Sequence, residues 1–297
     1  MIVSASYRTD IPAFYGAWFR NRLAAGFAEV ANPYGGPDYR VSLAPGAVEG
    51  FVFWTRNIEP FAPALAAVED LGIPYVVQMT ITGYPRALEP SVVPWERAAE
   101  SLHTLARRLG PRALVWRYDP ILESSLTPPA WHRESFARIA AALTAGPDPA
   151  VDEVVLSYAQ IYAKTRTNTD AAARRHGFTW RDPEDEEKRA LLGALAGIAA
   201  ERGLTASLCS QSALLVPGLR PARCVDAARL SDLAGRPVAA RTKGNRPDCL
   251  CAESRDIGAY DSCPHGCSYC YAVRRPDLAK RNHRRHDPAA ARLQPAR

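Results

Sequence analysis

Short apolar segments recur along the chain and alternate with longer segments of helical periodicity. The apolar segments predict strands at residues 2–6, 50–55, 74–82, 113–119, 153–160 and 204–209. Because they are apolar at nearly every position, they are typical of parallel strands covered on both faces. The intervening patterns predict helices at residues 12–25, 60–71, 94–109, 129–143 and 184–202, several with a proline in the first turn. This alternation predicts an α/β fold, in the form of a full or partial (β/α) TIM-like barrel.

The same pattern divides the chain into three parts. Residues 1–210 are predicted to form the βα barrel core, with an inserted loop or hairpin at residues 27–49. Residues 211–273 are rich in cysteine and are predicted to complete the barrel. Residues 274–297 contain eight Lys or Arg and two Asp, so their formal charge equals the +6 of the whole chain. We therefore expect a neutral body and a basic, disordered C-terminal tail.

The composition is that of an ordinary globular protein. Of the 297 residues, 47% are hydrophobic and 23% are charged. A chain of this length buries roughly three quarters of its unfolded surface, so it needs no disulfide bonds for stability. The first residues show no basic leader followed by an apolar core, and the longest apolar stretch, residues 191–200, is too short to span a bilayer. These features predict a cytoplasmic protein that does not enter a membrane.

Polar side chains follow the ends of five consecutive predicted strands. In a βα barrel these ends meet at one rim, where ligands bind. The candidates are Ser4, Ser6 and Arg8 after the first strand, Thr55 and Arg56 after the second, Thr80 after the third, Arg117, Tyr118 and Asp119 after the fourth, and Tyr158 and Lys164 after the fifth. Any one of them could equally cap a loop or form a salt bridge. Together they predict a polar substrate site, with Tyr118, Asp119, Tyr158 and Lys164 as substrate contacts or proton-transfer groups.

The most informative residues are the cysteines, five of which fall between residues 249 and 270. Disulfides are disfavoured in a chain without a secretion signal, so metal or cluster binding is the better explanation. Cys263, Cys267 and Cys270 lie on one short segment. Three thiolates can each hold one iron of a cubane [4Fe–4S] cluster, which leaves the fourth iron without a cysteine. That iron could bind a small chelator, such as the amino and carboxylate groups of a methionine derivative.

The segment from Cys263 to Cys270 resembles the CxxxCxΦC signature of radical S-adenosylmethionine (SAM) enzymes, in which Φ is aromatic. Tyr269 occupies the aromatic position, and the resemblance implies that it packs near the adenine of the cofactor. The whole chain, especially SASYRTDIPAFY, FVFWTRN and DIGAYDSCPHGCSYCYA, resembles the domain-of-unknown-function family 1848. The runs QMTITGYPRALEPSVVPWERAAESLHTL and WRYDPIL are also similar to spore photoproduct lyase-like enzymes.

The cysteine loop follows the last predicted strand, whereas in the superfamily it normally follows the first. This order resembles a circular permutation, with residues 256–261 as the strand that leads into the cluster loop. The resemblance then implies that Ser4, Ser6 and Arg8 lie where other members contact the methionine part of the cofactor. Thr80 and Arg117 would lie further along the rim, near the ribose or the carboxylate.

Four further cysteines, Cys209, Cys224, Cys249 and Cys251, equal the number that a second cubane cluster or a tetrahedral zinc requires. The sixth strand, which ends at Cys209, is expected next to the strand of the cluster loop. The resemblance to radical enzymes with auxiliary clusters favours iron–sulfur. Structural zinc, or small buried thiols without metal, are the alternatives.

The resemblance implies an enzyme that reductively cleaves SAM at a [4Fe–4S] cluster and directs a carbon radical at a small molecule or peptide. Its expected partner is a reducing electron donor such as flavodoxin or ferredoxin. Three alternatives are repair of DNA photoproducts, transfer of a 3-amino-3-carboxypropyl group from SAM, and a non-catalytic zinc-stabilised binding module. The basic tail gives weak support for a nucleic-acid partner, which the neutral body does not favour.

Overall fold

The strands and helices of this protein alternate along nearly its whole length in a computed structural model that describes residues 1–32, 35–244 and 246–293. In chain order the strands are β1 (Ile2–Ala5), β2 (Phe27–Val30), β3 (Tyr39–Ser42), β4 (Gly50–Thr55), β5 (Tyr75–Thr80), β6 (Leu114–Ile121), β7 (Glu123–Ser124), β8 (Glu153–Tyr158), β9 (Trp180–Arg181), β10 (Thr205–Leu208), β11 (Arg220–Pro221) and β12 (Ser254–Asp256). The helices are α1 (Ile11–Phe14), α2 (Gly16–Ala25), α3 (Ala62–Asp70), α4 (Trp95–Leu109), α5 (Pro129–Leu143), α6 (Ala163–His176), α7 (Asp185–Glu201), α8 (Ala227–Ala234) and α9 (Pro276–Arg284).

Eight of the strands form one sheet in the order β11-β10-β8-β6-β5-β4-β1-β12. Every pairing within it is parallel. The predicted α/β fold with a large parallel sheet is therefore confirmed, and all six predicted strands are present. Within the described ranges no ladder joins β11 to β12. β12, the strand that leads into the cluster loop, forms one edge of the sheet, whereas β10 lies next to the other edge. The expectation that β10 and β12 would be neighbours is therefore wrong.

The two faces of the sheet bury different layers. One face packs against helices α2, α3, α4, α5 and α7, through residues such as Phe53, Trp116 and Leu156. The other face presents Val52, Val115 and their neighbours to a non-helical segment and α8, which lie between residues 222 and 252. Because both faces are covered, the strands are apolar at consecutive positions, which explains the pattern in the sequence.

Asp256 ties the last strand to the first. Its carboxylate accepts hydrogen bonds from Ser4 Oγ at 2.9 Å, Ser6 Oγ at 2.8 Å and Arg8 Nε at 2.8 Å. The backbone amides of Tyr7 and Gly258 donate to the same group. Both Arg8 and Asp256 are buried. This buried pair fixes the start of the cysteine loop against β1.

The insertion at residues 27–49 contains an antiparallel hairpin of β2 and β3. Helix α6 was missed by the sequence analysis, because it is polar and has few periodic apolar positions.

None of the described helices is both long enough and apolar enough to cross a membrane.

The C-terminal tail differs from the expectation of disorder as far as residue 293. Helix α9 forms, and Trp18 Nε1 and Arg22 Nη2 on α2 donate to the carbonyls of Ala290 and Ala289 at 3.0 Å each. Arg292 pairs with carboxylates of the hairpin region. The tail is ordered because its carbonyls and basic side chains find partners on the body of the protein. Residues 294–297 lie outside the described ranges.

Replacing Gly258 with alanine is predicted to destabilise the protein. The new Cβ would lie 1.9 Å from Ser6 Oγ and 2.5 Å from Ser6 Cβ, so the edge between β1 and β12 would have to move. Crowding of this kind costs about 1–3 kcal/mol of unfolding free energy. As a matched control, Gly197→Ala in α7 meets open space and should stabilise the protein by about 0.5–1 kcal/mol. Urea denaturation measures both, and equal stability of Gly258→Ala and wild type would contradict the close approach.

Candidate functional site

The loop that follows β12 brings Cys263, Cys267 and Cys270 together at the carboxyl end of the sheet. Burial raises the pKa of the Cys263 thiol well above its usual range, and the nearness of the other two thiols raises it further. Burial likewise raises the pKa of Cys267 to about 12. The strand itself ends at Asp256, so residues 257–261, which were expected to extend it, belong to the loop. Three thiols are therefore held in one region, with Cys267 buried and the other two partly exposed, where a bound cation would offset the cost of ionising them.

Side chains from the loops after β1 and β4 hold this cysteine loop in place. Asp10 Oδ2 accepts hydrogen bonds from Arg56 N at 2.8 Å and from His265 Nε2 at 2.9 Å. Tyr15 OH donates to the carbonyl of Ser262 at 2.7 Å, immediately before the first cysteine. Asp10 thus joins three segments that are distant in sequence, and His265 has a role in shaping the loop.

A buried hydrogen-bond network surrounds Tyr269, the aromatic residue of the motif. Arg56 Nη1 lies 2.7 Å from Glu89 Oε1, and Arg56 Nη2 donates to Tyr269 OH at 2.6 Å. The hydroxyls of Thr82 and Tyr269 both donate to the same oxygen of Glu89. Burial raises the pKa of Tyr269 well above its usual range. The network holds the ring in one orientation beside Cys267. Sequence reasoning missed Glu89, because a single carboxylate in a loop carries no pattern.

A cavity of about 180 Å³ adjoins this network at the carboxyl end of β5. Its walls include Arg56, Thr80, Thr82 and Glu89. It is smaller than the roughly 300–1,000 Å³ of typical ligand pockets. Thr80, which was predicted to contact the cofactor, does lie next to the Tyr269 network.

The remaining four cysteines also meet, on the face of the sheet that is covered by residues 222–252. Cys209 Sγ and Cys224 Sγ are 3.5 Å apart, and the thiols of Cys224, Cys251 and Cys249 continue the chain of contacts. Hydrogen bonding with Cys209 lowers the pKa of Cys224, but hydrogen bonding with Cys251 and burial outweigh it and bring this pKa to about 11. We call Cys209, Cys224, Cys249 and Cys251 the second cysteine set.

Local backbone geometry supports this set. A Cβ at Gly244 would lie 2.2 Å from the carbonyl oxygen of Cys249, so only glycine allows the two segments to approach. The backbone amide of Val225 donates to Cys251 Sγ at 3.4 Å. The convergence of four thiols from three separate segments agrees with the grouping expected from the sequence.

Arg117 and Asp119 connect the second cysteine set to the rest of the interior. Arg117 Nη1 lies 3.1 Å from Cys224 Sγ, and its other terminal nitrogen pairs with Asp119. Ser157 donates to the same carboxylate. Burial acts to raise the pKa of Asp119, but the Arg117 guanidinium and the Ser157 hydroxyl hold it below its usual value. Arg117, expected near the cofactor, therefore lies beneath the second set.

Several predicted site residues have other roles. Ser4, Ser6 and Arg8 direct their donors at Asp256, so they form the structural tie between strands rather than an open set of cofactor contacts. Tyr118 and Tyr158 belong to the core on the opposite face, beneath the helices. The expectation that Tyr118 and Tyr158 contact substrate is wrong. Successive residues of a strand point to opposite faces of the sheet, so Arg117 and Ser157 face the cysteines while the two tyrosines face the helices.

The two tyrosines make their own contacts in the helical layer. Tyr118 OH is 2.9 Å from His132 Nδ1, and Tyr158 OH is 3.1 Å from Glu123. Lys164, at the start of α6, lies near the cysteine loop and lowers the pKa of Cys270, although burial raises that pKa overall. Of the four predicted substrate contacts, Asp119 and Lys164 therefore lie near the cysteines.

Buried hydroxyl groups near the cysteine loop lack hydrogen-bond partners among the described residues. Ser268, between Cys267 and Tyr269, has a buried hydroxyl without a hydrogen-bond partner in the described part of the chain, as do Thr9 and Thr165. Groups of this kind are satisfied by ordered water, a ligand or an ion. In the same ranges no group of three or more His, Cys, Asp or Glu could hold a single metal ion. Thiols around a cubane bind different irons, so they do not converge on one point as the ligands of a lone ion do.

Protein kept free of metal by a chelator is predicted to lose stability in alkali. Cys224 and Cys251 titrate at about 11 in the folded protein, whereas an unfolded cysteine titrates at about 8.5. The folded state therefore binds more protons between these values, and its stability falls as the pH rises through them. The double variant Cys224→Ser/Cys251→Ser should have a flatter dependence of melting temperature on pH. Identical slopes for both proteins would contradict the raised pKa values.

One protein family matches almost the whole chain. A family described as Domain of unknown function (DUF1848) matches residues 2–272, which include the eight-stranded sheet and both groups of cysteines. No curated protein and no solved structure matches the chain. Because the match spans far more than half of the sequence, this protein belongs to the DUF1848 family.

Proposed function

We propose that this protein is a radical SAM enzyme whose [4Fe–4S] cluster is held by Cys263, Cys267 and Cys270. The observation that carries the proposal is the meeting of these three thiols, one buried and two partly exposed, on one loop at the carboxyl end of a parallel sheet. Ligands of α/β folds bind at this end of the strands. Three cysteines leave one iron of the cubane for SAM. Reductive cleavage of a carbon–sulfur bond of SAM is the chemistry that this site would supply.

The order of the strands supports a permuted, partial barrel. β12 is the last strand in the chain, yet it pairs with β1 at the edge of the sheet. Moving the last strand ahead of the first in sequence would leave its spatial neighbour unchanged. The cluster loop would then follow the first strand, as it does in the superfamily. The segment between residues 222 and 252 packs on the face of the sheet that carries Val52 and Val115.

The chain's own residues would orient the cluster loop. Tyr269 is 5% exposed, and its hydroxyl is fixed by Glu89 and Arg56, so the ring has little freedom to move. The positive charge of Arg56 opposes the effect of burial on Cys267 and so favours its thiolate form. Asp10 fixes His265 and with it the turn between the first two cysteines.

The second cysteine set would hold an auxiliary cluster. Four thiols allow every iron of a cubane to have a cysteine, which favours electron transfer or a structural role over substrate binding. Arg117 would place a positive charge 3.1 Å from one of these sulfurs and so stabilise a negatively charged cluster. The electron would come from a reduced flavodoxin or ferredoxin in the cytoplasm.

The alternatives to this function have weaker support. DNA repair would use the basic tail, but Arg292 is paired with carboxylates of the body and Arg281 with Asp277. Transfer of a 3-amino-3-carboxypropyl group would use the same cysteines and differs in which bond of SAM is cleaved. A zinc-stabilised binding module would use the cysteines from Cys249 to Cys270 as a structural zinc knuckle. Each of these has a distinct outcome in the experiments below.

Alanine variants of Cys263, Cys267 and Cys270 are predicted to abolish SAM cleavage. Anaerobically purified wild-type protein should be brown, contain about eight irons and cleave SAM with dithionite as reductant. Each variant should lose about half of the iron and all of the cleavage, because an iron without its thiolate leaves the cluster incomplete. The products identify the bond, since 5′-deoxyadenosine and methylthioadenosine report different cleavages.

Cys209→Ala is the matched control, because it removes a thiol from the second set and should leave SAM cleavage intact. Cleavage that persists in all three motif variants would refute the cluster assignment. Colourless protein with one tightly bound zinc would support the binding module instead. Tight, salt-sensitive binding to irradiated DNA, compared with unirradiated DNA, would favour repair.

Glu89→Gln is predicted to weaken SAM binding by about 10- to 100-fold while the iron content stays unchanged. The substitution removes the charge that holds Arg56 and the hydroxyl of Tyr269 but keeps the shape of the side chain. Equilibrium dialysis with SAM measures the effect. Glu96→Gln is the control, because Glu96 lines the same cavity but is exposed. Equal SAM affinity in both variants would remove the Tyr269 network from the binding site.

A further inference from the structure

Positive and aromatic side chains are concentrated between the cysteine loop and the second cysteine set. Each of four cations lies over an aromatic ring within the range of cation–π interactions. These pairs are Arg8 with Tyr7 and Tyr260 at 5.9 and 5.8 Å, Arg117 with Trp54 at 5.0 Å, Lys164 with Tyr260 at 5.1 Å, and Arg246 with Tyr271 at 5.5 Å. The region between the two groups of thiols is thus cationic and ring-lined.

Two of these cations are neutralised and two are not. Arg8 is paired with Asp256, and Arg117 with Asp119. Among the described residues Lys164 and Arg246 form no salt bridge, although Asp119, the salt-bridge partner of Arg117, is close enough to Arg246 to raise its pKa. The region therefore carries two positive charges more than its own carboxylates balance.

The two unbalanced cations face the same space from different elements. Lys164, at the start of α6, lies over the ring of Tyr260, and Arg8 lies over both Tyr260 and Tyr7. The hydroxyl of Tyr271, the ring beneath Arg246, donates to the carbonyl of Tyr7, which joins the two ends of the region. Arg246 lies close to Cys209 of the second cysteine set and to Tyr162, two residues before Lys164. Tyr271 lies between them, close to both Cys270 and Arg246. We call this space, bounded by Lys164, Arg246, Tyr260 and Tyr271, the two-cation recess.

Solvent reaches the recess although protein surrounds it. Cys270, Asp119 and Tyr271 are each partly exposed, yet desolvation by the surrounding protein is the largest influence on the pKa of each. Arg246 is exposed, and desolvation is the largest influence on its pKa as well. Because these side chains are partly or fully exposed, an anion in solution can reach the recess.

We infer that the two-cation recess binds the anionic group, a phosphate or a carboxylate, of the substrate, between Lys164 and Arg246. That the bound molecule is a substrate rests on the proposed function. The anion site itself rests on the charges and contacts of the recess. Arginine and lysine supply several N–H donors to such oxygens, and rings beneath them keep the charges in place. A substrate held there would lie beside the cysteine loop.

The probe is inorganic phosphate added to the anaerobically purified protein, with chloride at matched ionic strength as the reference. Phosphate should raise the melting temperature of wild-type protein by about 2–4 °C. Lys164→Met and Arg246→Met should each raise the half-saturating phosphate concentration by about tenfold or more. Both side chains are partly or fully exposed, so the variants should melt like wild type in chloride.

The matched control is Arg220→Met/Arg223→Met. These arginines line a second cavity, of about 440 Å³, near the amino ends of β8 and β10. The phosphate shift should persist in this double variant. A shift that is lost only in the control would place the anion in the second cavity and overturn the inference. The absence of any shift in wild type would also overturn it.

SAM carries a carboxylate of its own, and equilibrium dialysis with SAM separates the two sources of negative charge. SAM affinity within about twofold of wild type in Lys164→Met and Arg246→Met supports a substrate site, since a lost charged hydrogen bond costs about tenfold. A fall in SAM affinity as large as the fall in phosphate affinity would assign the cations to the cofactor and overturn the inference. If the protein holds no iron and cleaves no SAM while the phosphate results stand, the proposed function fails and the anion site remains.

Discussion

The carboxylate of Asp256 is the contact on which the position of the cysteine loop depends. β12 has three residues and one neighbouring strand, so its ladder alone gives it little stability. Ser4, Ser6 and Arg8 surround the Asp256 carboxylate and join the first and last strands at one edge of the sheet. Loss of one partner from such a buried ion pair costs about 3–5 kcal/mol, because the other charge remains buried alone. The thiols that follow Asp256 are placed by this pair.

The chemistry of the site comes from loops that meet only in three dimensions. Asp10, Arg56 and Glu89 follow three different strands, yet they form one continuous set of hydrogen bonds around the cysteine loop and Tyr269. Arg117 lies on the face of the sheet that is covered by residues 222–252, and it contacts the second cysteine set. The two groups of thiols are therefore supported by separate hydrogen-bond networks, and the two-cation recess lies between them. Under the proposed function, a substrate in the two-cation recess would lie between the two clusters.

Much of the fold follows from periodicity, and the failures have physical causes. Strands that are covered on both faces are apolar throughout, so all six long strands could be located. Because such strands are apolar at every position, the sequence does not show which residues face which side of the sheet. For this reason Tyr118 and Tyr158 were predicted on the side of the cysteines, whereas they lie under the helices. Helix α6 was missed because its sequence is polar. The basic tail was expected to be disordered, because its partners on α2 and the hairpin are far away in sequence.

The sequence by itself determined the class of fold, the alternation of elements and the grouping of the cysteines. These properties are local, since they depend on periodicity, on spacing and on the chemistry of the thiol. Tertiary structure decided which polar groups meet. Ser4, Ser6 and Arg8 became a structural tie because the last strand returns beside the first. Glu89 became part of the site because it reaches Arg56 and Tyr269. Such contacts depend on the register of distant segments, which no local pattern records.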